Sequence, residues 1–407
     1  MSPAARAGWR QTTVRRVLRP LDRPAQPGFG VITAYRDGIV TLRSNRREDG
    51  YTFSETENGY QEIRPGDLVF HALDGFAGAV GVSDSYGNAS PVYHVCEPVA
   101  GDDPGYLACL LRHLGTSGFL ATQAPNVRER SVDFRNWSTF ARIPLVLPPA
   151  AEQRAIADYL DRETARIDTL IDEQQRLIEM LCERRRAAVE EAVSIVGTSG
   201  PRLKHIIRSV RQGWSPQCYS WSADGVETWA VLKAGAANGG RFRPMENKEL
   251  PEDEIPRPDI VVTRGDLIVS RANTRELVGS AAVVEGDFPR LMLCDKLYAF
   301  SLDERRADSR FVATALGSRR WRDLIELEAT GASHSMLNIS QSDIVNLPMP
   351  LPPVDEQRRI IAHLDSETAK IDQLIAETER FIELARERRS ALVTAAVTGQ
   401  IDVREVA

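Results

Sequence analysis

Two stretches of the chain carry an apolar stripe at helical spacing, and the remaining segments are arranged around them. The first stripe extends from Ile167 to Ala192 and the second from Ile371 to Ala396. A Pro-Pro pair precedes each stretch, and neither Gly nor Pro occurs between positions 150 and 196 or between 354 and 398. Because proline is tolerated at a helix start but not in its interior, the pattern predicts two long helices. Roughly 40 residues at a rise of 1.5 Å per residue give each helix a length of about 60 Å.

The two stretches are copies of one another. Matched positions, such as Pro148 and Pro352 or Asp168 and Asp372, lie 204 residues apart without any gap. The chain is therefore a tandem duplication. A single amphipathic helix of this length cannot bury its stripe alone, so we expect the two copies to pack together as an antiparallel coiled-coil-like pair.

Composition places the chain among ordinary globular proteins. Of its 407 residues, 42% are hydrophobic and 27% charged, which suggests two to four domains. We find no apolar run long enough for a membrane span and no secretory signal, and the five cysteines lack Cys-x-x-Cys spacing. These features predict a cytoplasmic protein with reduced thiols. The net charge of −6 does not by itself indicate nucleic-acid binding. It does not exclude such binding, because a basic patch can be confined to one part of the surface.

The segment before the first long helix has the pattern of short strands separated by turns. Residues 38–43 alternate as a strand that ends in Arg43, the turn at 64–67 leads into an apolar run at 68–70, and 92–95 forms another strand. Helical periodicity follows from Tyr106 to Leu114. The segment between the long helices repeats this plan loosely, with strands at 229–233 and 264–269 and a helix from Phe311 to Ile325.

These observations predict an α+β fold with a pseudo-two-fold tandem duplication, in which two mixed α/β regions alternate with the two long helices. The predicted boundaries are 1–143 for the first globular region, 144–198 for the central helical region, 199–347 for the second globular region and 348–407 for the C-terminal helical region.

Sequence signatures of catalysis are missing. Both Pro-Pro pairs follow leucine, whereas an amino-methyltransferase grips its target amine with Asn or Asp before Pro-Pro and an aromatic residue. There is no Gly-x-Gly loop after a strand, no phosphate-binding loop and no metal-ligand spacing among the six histidines. We therefore expect no catalytic residues, no metal and no cofactor in this chain.

The Leu-Pro-Pro-x-x-Glu-Gln element that opens each long helix resembles that of the DNA-specificity subunits of type I restriction–modification systems. The second globular region is similar to the target-recognition domains of that family at 229–233, 265–267, 270–274 and 330–340. The first region departs from the pattern, because His71-Ala72-Leu73 replaces the Ser-Arg-x-Asn loop.

The resemblance implies a sequence-specific DNA-binding subunit that recognises a bipartite, asymmetric site in double-stranded DNA, one half-site for each target-recognition domain. It also implies two methyltransferase subunits and restriction/translocase subunits as partners. S-adenosylmethionine, ATP and magnesium would then belong to those partners. Residues of the long helices would bind them, and we name Glu152, Gln153, Leu160, Ile167, Ile171, Glu356, Gln357, Leu364, Ile371 and Ile375.

Side-chain chemistry selects the candidate DNA contacts. Arginine pairs with guanine and asparagine with adenine in the major groove, so Arg271 and Asn273 are the first candidates. The others in the second region are Lys233, Thr274, Ser333, His334 and Ser335, and those in the first are Arg43, Asn45, Arg46 and His71. A plain turn competes as the explanation of Asn273-Thr274.

Two other classes of function remain open from the residues alone. One is a non-catalytic coiled-coil scaffold with two protein-binding globular domains, and the other is an enzyme with an unrecognised active site. Two globular regions of unequal sequence favour a reader of two different half-sites, since a scaffold has no need for its copies to diverge.

Overall fold

The structure is a computed structural model that describes residues 8–46, 59–99, 101–124, 127–128, 131–194, 200–333 and 336–403. Strands of the first globular region are β1 (Arg10–Thr13), β2 (Leu18–Pro20), β3 (Ile32–Ala34), β4 (Val40–Leu42), β5 (Gln61–Ile63), β6 (Leu68–His71), β7 (Val80–Val82), β8 (Gly87–Ala89), β9 (Tyr93–Pro98), β10 (Val127–Arg128), β11 (Ser131–Val132) and β12 (Pro144–Leu147). The helices up to the end of the first repeat are α1 (Val14–Val17), α2 (Pro104–Thr116), α3 (Phe119–Gln123), α4 (Trp137–Phe140) and α5 (Ala150–Ser194).

The second half of the chain follows the same plan. Its strands are β13 (Ile207–Gln212), β14 (Ala230–Leu232), β15 (Asn247–Glu249), β16 (Leu267–Ser270), β17 (Ala272–Asn273), β18 (Ala281–Val283), β19 (Leu291–Met292), β20 (Leu297–Leu302), β21 (Thr330–Ser333) and β22 (Met336–Asn338). Its helices are α6 (Ser309–Gly317), α7 (Arg319–Glu328), α8 (Gln341–Asn346) and α9 (Val354–Val397).

The two predicted long helices are α5, with 45 residues, and α9, with 44. Both begin directly after a Pro-Pro pair, as the proline chemistry requires. With the mixed helix-and-strand regions on either side, they confirm the predicted fold class.

The chain divides into two compact units, and each unit contains parts of both long helices. Unit 1 consists of residues 1–175 and 379–407, and unit 2 of residues 176–378. The globular regions predicted along the chain are thus each completed by a helical segment from the other repeat.

Each unit contains a four-stranded antiparallel sheet of the same topology. In unit 1 the order is β2-β9-β6-β7, and in unit 2 it is β13-β20-β16-β18. The apolar runs predicted after the two Gly-Asp turns form β6 and β16, and both strands are buried. The shared strand order therefore supports a repeat of the globular regions, which their sequences show only loosely.

A helix packs on each sheet and an aspartate caps it. Asp103 accepts a hydrogen bond from the Tyr106 N–H at 2.9 Å at the start of α2, and Asp308 does so from Arg310 and Phe311 at the start of α6. The single helix predicted from Phe311 to Ile325 is wrong in one respect. Ser318 adopts an extended conformation after Gly317, and this separates α6 from α7.

Within each unit the two long helices run antiparallel. In unit 1, Arg389 Nε lies 2.9 Å from an Asp168 carboxylate oxygen, while Val397 approaches α2 at the opposite end of the pair. In unit 2, the matched pair Arg185 and Asp372 is separated by 3.1 Å. Apolar side chains of the long helices are buried in both units, namely Leu160, Ile167 and Ile171 in unit 1 and Leu364 and Ile371 in unit 2, whereas Leu170 and Leu374 are exposed.

Candidate nucleic-acid interface

In unit 2 the structure brings together stretches that are distant in the sequence. Strand β17, which contains Asn273, pairs with β22, and β22 pairs in turn with β21. The predicted contacts Asn273 and Ser333 therefore belong to one three-stranded sheet, and Arg271 and Thr274 flank its strand β17. The other two residues of that stretch, His334 and Ser335, lie outside the described residues.

Asn273 uses its side-chain amide inside the protein. Its Oδ1 accepts a hydrogen bond from the Thr274 N–H at 2.9 Å, and its Nδ2 donates to Asn238 Oδ1 at 3.2 Å and to Ser270 Oγ at 3.4 Å. Ser270 is fully buried. The amide is therefore held by the loop around it, which is what the competing turn interpretation anticipated.

Arg271 is half-buried and is held mainly by its backbone. Its N–H donates to the Lys296 carbonyl at 2.8 Å, its carbonyl accepts from the Ile339 N–H at 2.9 Å, and its Nη1 lies 3.3 Å from the Asp295 carbonyl. Among the described residues, no carboxylate lies within ion-pair distance of its guanidinium. Most of its five N–H donors are thus available to a ligand.

Lys233 introduces a loop that sequence reasoning missed. Its N–H donates to the Glu246 carbonyl, and a 3-10 segment from Ala234 to Gly240 follows. This segment carries Asn238 to the side chain of Asn273 and is followed by the exposed Arg241 and Arg243. The dipeptide Gly239-Gly240 directly before two arginines was the signal in the sequence that could have identified it.

In unit 1 the candidates Arg43, Asn45 and Arg46 lie just after β4. Arg43 Nε is 3.4 Å from Thr33 Oγ1, and Asn45 Nδ2 donates to Thr41 Oγ1 at 2.9 Å. Arg46 pairs with Asp37 at 2.5 Å and lies over the ring of Tyr35 at 4.7 Å. These three side chains are therefore partly engaged within the β3–β4 hairpin.

His71 ends β6 at the place that Ser270 occupies in unit 2. Its Nδ1 accepts hydrogen bonds from the N–H groups of Leu73 at 3.2 Å and Asp74 at 3.1 Å. Burial lowers the pKa of the imidazole, so the ring is neutral at pH 7 and carries its proton on Nε2. His71 thus offers a hydrogen-bond donor and not a positive charge.

The two glutamines of the Leu-Pro-Pro-x-x-Glu-Gln elements are fully buried. Gln153 accepts from the Asp103 N–H at 3.0 Å and donates to Asp102 Oδ1 at 2.8 Å and the Pro148 carbonyl at 3.0 Å. Gln357 makes two matched contacts, accepting from the Asp308 N–H at 2.8 Å and donating to the Pro352 carbonyl at 2.8 Å, but its third bond goes to the Arg306 backbone carbonyl at 3.1 Å and not to a carboxylate. Each glutamine therefore joins the start of a long helix to the capping aspartate of a globular region.

The other residues predicted to bind partners have two kinds of environment. Leu160, Ile167, Ile171, Leu364 and Ile371 are buried, whereas Glu152, Glu356 and Ile375 are half-buried. The buried ones, like the two glutamines, make their contacts within their own unit. Contact of any of these residues with a partner remains a prediction.

The described part of the chain shows no metal-ligand cluster of three or more His, Cys, Asp or Glu residues, and none of its helices has the length and apolarity to cross a membrane. All five cysteines are free thiols.

No protein-family model matches the chain. Among curated proteins it is similar to the specificity subunit of the type I restriction enzyme EcoEI from Escherichia coli, with 30% identity over 202 residues. That alignment covers 50% of this chain and 34% of the relative, so the similarity spans about a third of that relative's length. The specificity subunit of the enzyme StySPI from Salmonella potsdam is 21% identical over 398 residues, which cover 90% of this chain and 83% of the relative.

Two solved structures share the fold over nearly the whole chain. The first comes from a study of complex assembly and conformational transition of the type I restriction–modification system; it has a TM-score of 0.72 at 17% identity and covers 98% of this chain and 100% of that chain. The second is the HsdS subunit from Thermoanaerobacter tengcongensis, with a TM-score of 0.57 at 18% identity and coverage of 98% and 99%. The resemblance to type I specificity subunits is thus confirmed. The relatives' names also agree with the prediction of a specificity subunit as opposed to a catalytic one.

Proposed function

Because the chain resembles type I specificity subunits in sequence and shares their fold, we propose that it binds double-stranded DNA within a type I restriction–modification complex. In this proposal each globular region recognises one half of a bipartite target. The chain also provides the docking surface for two methyltransferase subunits and for restriction subunits, and it supplies sequence recognition while those partners supply the chemistry.

One observation carries the proposal. The two units share one sheet topology and one glutamine network, yet the side chains at the ends of the matched strands β6 and β16 differ. In unit 1 the strand ends in His71, a neutral donor, and in unit 2 it leads to Ser270, Arg271 and Asn273. The two half-sites of an asymmetric target differ in sequence. Two domains of the same fold can therefore recognise them only if their contacting side chains differ.

The proposal is tested by selection of bound duplexes from a randomised DNA pool by the full-length chain, alone and with its methyltransferase partner. We expect enrichment of two groups of defined bases separated by a fixed gap of undefined ones. A chain that enriches no motif in either form, but co-purifies with other proteins through its globular regions, would support the scaffold alternative.

Replacement of Arg271 by alanine separates base recognition from phosphate contact. If the guanidinium contacts a guanine edge, Arg271→Ala weakens binding to the selected site by about 1–3 kcal/mol and relaxes discrimination in one half-site only. A phosphate contact would instead weaken binding to all sequences alike and reduce the salt slope by about one unit. Arg305→Ala, at an exposed position of the same unit, is the matched control.

A paired insertion tests whether the long helices set the gap between the half-sites. One heptad added after Leu177 and another after the matched Phe381 keeps both apolar stripes in phase. Seven residues lengthen a helix by about 10 Å, which corresponds to roughly three base pairs at 3.4 Å each. We expect the methylated motif to keep both half-sites and gain a longer gap. An active complex with an unchanged gap would contradict this role.

A further inference from the structure

The hydrogen-bond pattern around Asn273 fixes the orientation of a second amide. The Thr274 N–H can only donate, so the atom of Asn273 that faces it is Oδ1, and Nδ2 is the atom that faces Asn238. Asn238 must then present Oδ1 to Asn273, because two NH₂ groups cannot bond to each other. The Nδ2 of Asn238 is consequently the group left to interact with a ligand.

The backbone beside Asn238 is open to close approach. Gly239 and Gly240 have φ values of +71° and +75°, a region that residues with a Cβ rarely adopt. Around Gly240, apart from its own chain neighbours, no heavy atom of the described residues lies within 4 Å of the position a Cβ would take, and at Gly239 the nearest such atom is Arg243 Nη2 at 3.9 Å. A bulky ligand can therefore reach this loop without displacing described side chains.

The same loop carries three basic side chains, and the Glu246 carboxylate lies beside it at Gly235. Lys233 is half-buried at its start, and Arg241 and Arg243 are exposed at its end. Within the described ranges, none of the three forms an ion pair, whereas Arg211, Arg208 and Arg310 of the same unit all do. Unpaired cations beside an exposed glycine backbone match the chemistry of a phosphate backbone.

We propose that the loop from Lys233 to Arg243 (the glycine loop) forms the reading edge of unit 2, with Asn238 as the residue that contacts a base. Arg241 and Arg243 bind the flanking phosphates. Asn273 is a positioning residue, which holds the amide of Asn238 so that its N–H groups face the DNA. The inference rests on the proposed DNA-binding function and identifies the reader within it.

The chemistry of the groove predicts which bases are accepted. An outward N–H donor can bond to N7 and O6 of guanine, to N7 of adenine or to O4 of thymine. Cytosine presents its N4–H₂ donor on the same edge, so two donors would oppose each other. Asn238 should therefore discriminate against cytosine at one position of the second half-site.

The test uses the full-length chain and a randomised duplex pool, with the wild type, Asn238→Ala and Asn273→Asp selected in parallel. Asn238→Ala should reduce discrimination at one base position of the second half-site by roughly fivefold or more. In Asn273→Asp the carboxylate can only accept, so the amide of Asn238 must turn and present Oδ1 outwards. The preferred base at that position should then change to one that offers a donor, a result that a merely structural role would not produce.

Alanine variants of Arg241 and Arg243 test the phosphate contacts, for which a different result is expected. Arg241→Ala and Arg243→Ala should weaken binding to all sequences alike and each reduce the salt slope by about one unit. The first half-site is the internal control, because its base preferences should be unchanged in every variant.

The outcomes distinguish a failure of the DNA-binding proposal from a failure of the role assigned to Asn238. If the wild type enriches no motif, the DNA-binding proposal itself fails. If the wild type enriches a bipartite motif and Asn238→Ala keeps every base preference, the DNA-binding proposal stands and the role of Asn238 is overturned. Should Asn238→Ala fail to fold, Asn238→Asp keeps the acceptor that faces Asn273, replaces the outward N–H₂ donor by a carboxylate oxygen and decides the question.

Discussion

Unit 1 and unit 2 share two contacts of an equivalent glutamine but pack their long helices differently. Gln153 and Gln357 each make three hydrogen bonds between a helix start and a globular region, and two of the three are matched. The third goes to the Asp102 carboxylate in unit 1 and to the Arg306 carbonyl in unit 2. The packing of the stripes, by contrast, differs at two matched positions. Leu392 and Tyr159 in unit 1 correspond to Ala188 and His363 in unit 2.

The smaller and more polar pair leaves space between the helices. In unit 2, Ala188 and His363 line a groove of about 560 Å³. In unit 1, Tyr159 is buried and Leu392 packs against the core of the globular region. The contacts that orient each globular region are thus kept in both copies, while the packing of the helices tolerates change.

The largest expected effect comes from removing the shared contact. Gln153→Leu and Gln357→Leu each remove the partner of a backbone N–H and of at least one backbone carbonyl, and one such buried group costs about 1–3 kcal/mol. We expect a loss of about 3 kcal/mol in the affected unit, seen as roughly hundredfold faster hydrogen exchange in α2 or in α6, respectively.

Exposed Gln175 in α5 supplies the control, since Gln175→Leu changes the same side chain without breaking a hydrogen bond of the described residues. Equal effects in the two units would sharpen the comparison. An effect confined to one unit would show that the matched geometry does not carry matched energy.

The helix packing should respond in opposite directions in the two units. Leu392→Ala removes a half-buried side chain and should destabilise unit 1 by about 1–2 kcal/mol. Ala188→Leu places the same side chain in the groove of unit 2 and should stabilise that unit by about 0.5–1 kcal/mol. Urea unfolding of each variant measures both changes. Destabilisation by Ala188→Leu would mean that the groove cannot accept a leucine.

The smallest effect is expected for the exposed ion pairs. Arg185–Asp372 and Arg389–Asp168 occupy equivalent positions at 3.1 and 2.9 Å, and all four side chains are at least 30% exposed. Exposed pairs contribute little, so double-mutant cycles should give coupling energies of about 0.5 kcal/mol for each pair. A coupling energy several times larger in either unit would contradict this expectation and would show that the ion pair contributes substantially to stability despite its exposure.

Periodicity and proline placement were enough to predict α5 and α9, because helix formation over such a length depends on local pattern. The apolar runs after the Gly-Asp turns likewise predicted β6 and β16. The burial of Gln153 could not be predicted, since a glutamine in the first turn of a charged helix has the pattern of a solvated residue. Its partners, Asp102 and Asp103, lie about fifty positions earlier, and only the folded chain brings them together.

The candidate site shows the same limit. Residue type was enough to select Arg271 and Asn273 as candidates. In the structure Asn273 lies in β17, which pairs with β22, and Arg271 directly precedes that strand. Asn238 was missed because its significance lies in one contact with Asn273 across 35 positions. Residue type predicts which side chains can recognise DNA, but the hydrogen-bond network determines which of their atoms are available.

The division of the chain into units has a consequence for the order in which the protein folds during synthesis. Unit 2 is one continuous segment, so all its parts are present once residue 378 has left the ribosome. Unit 1 is discontinuous, and its core includes Ala396, Val397 and Val403 from the distal repeat. The first globular region must therefore wait, with part of its apolar surface uncovered, until residues 379–403 have been translated. A premature stop in α9 after residue 378 would damage the first globular region more than the second, although the second lies closer to it in the sequence.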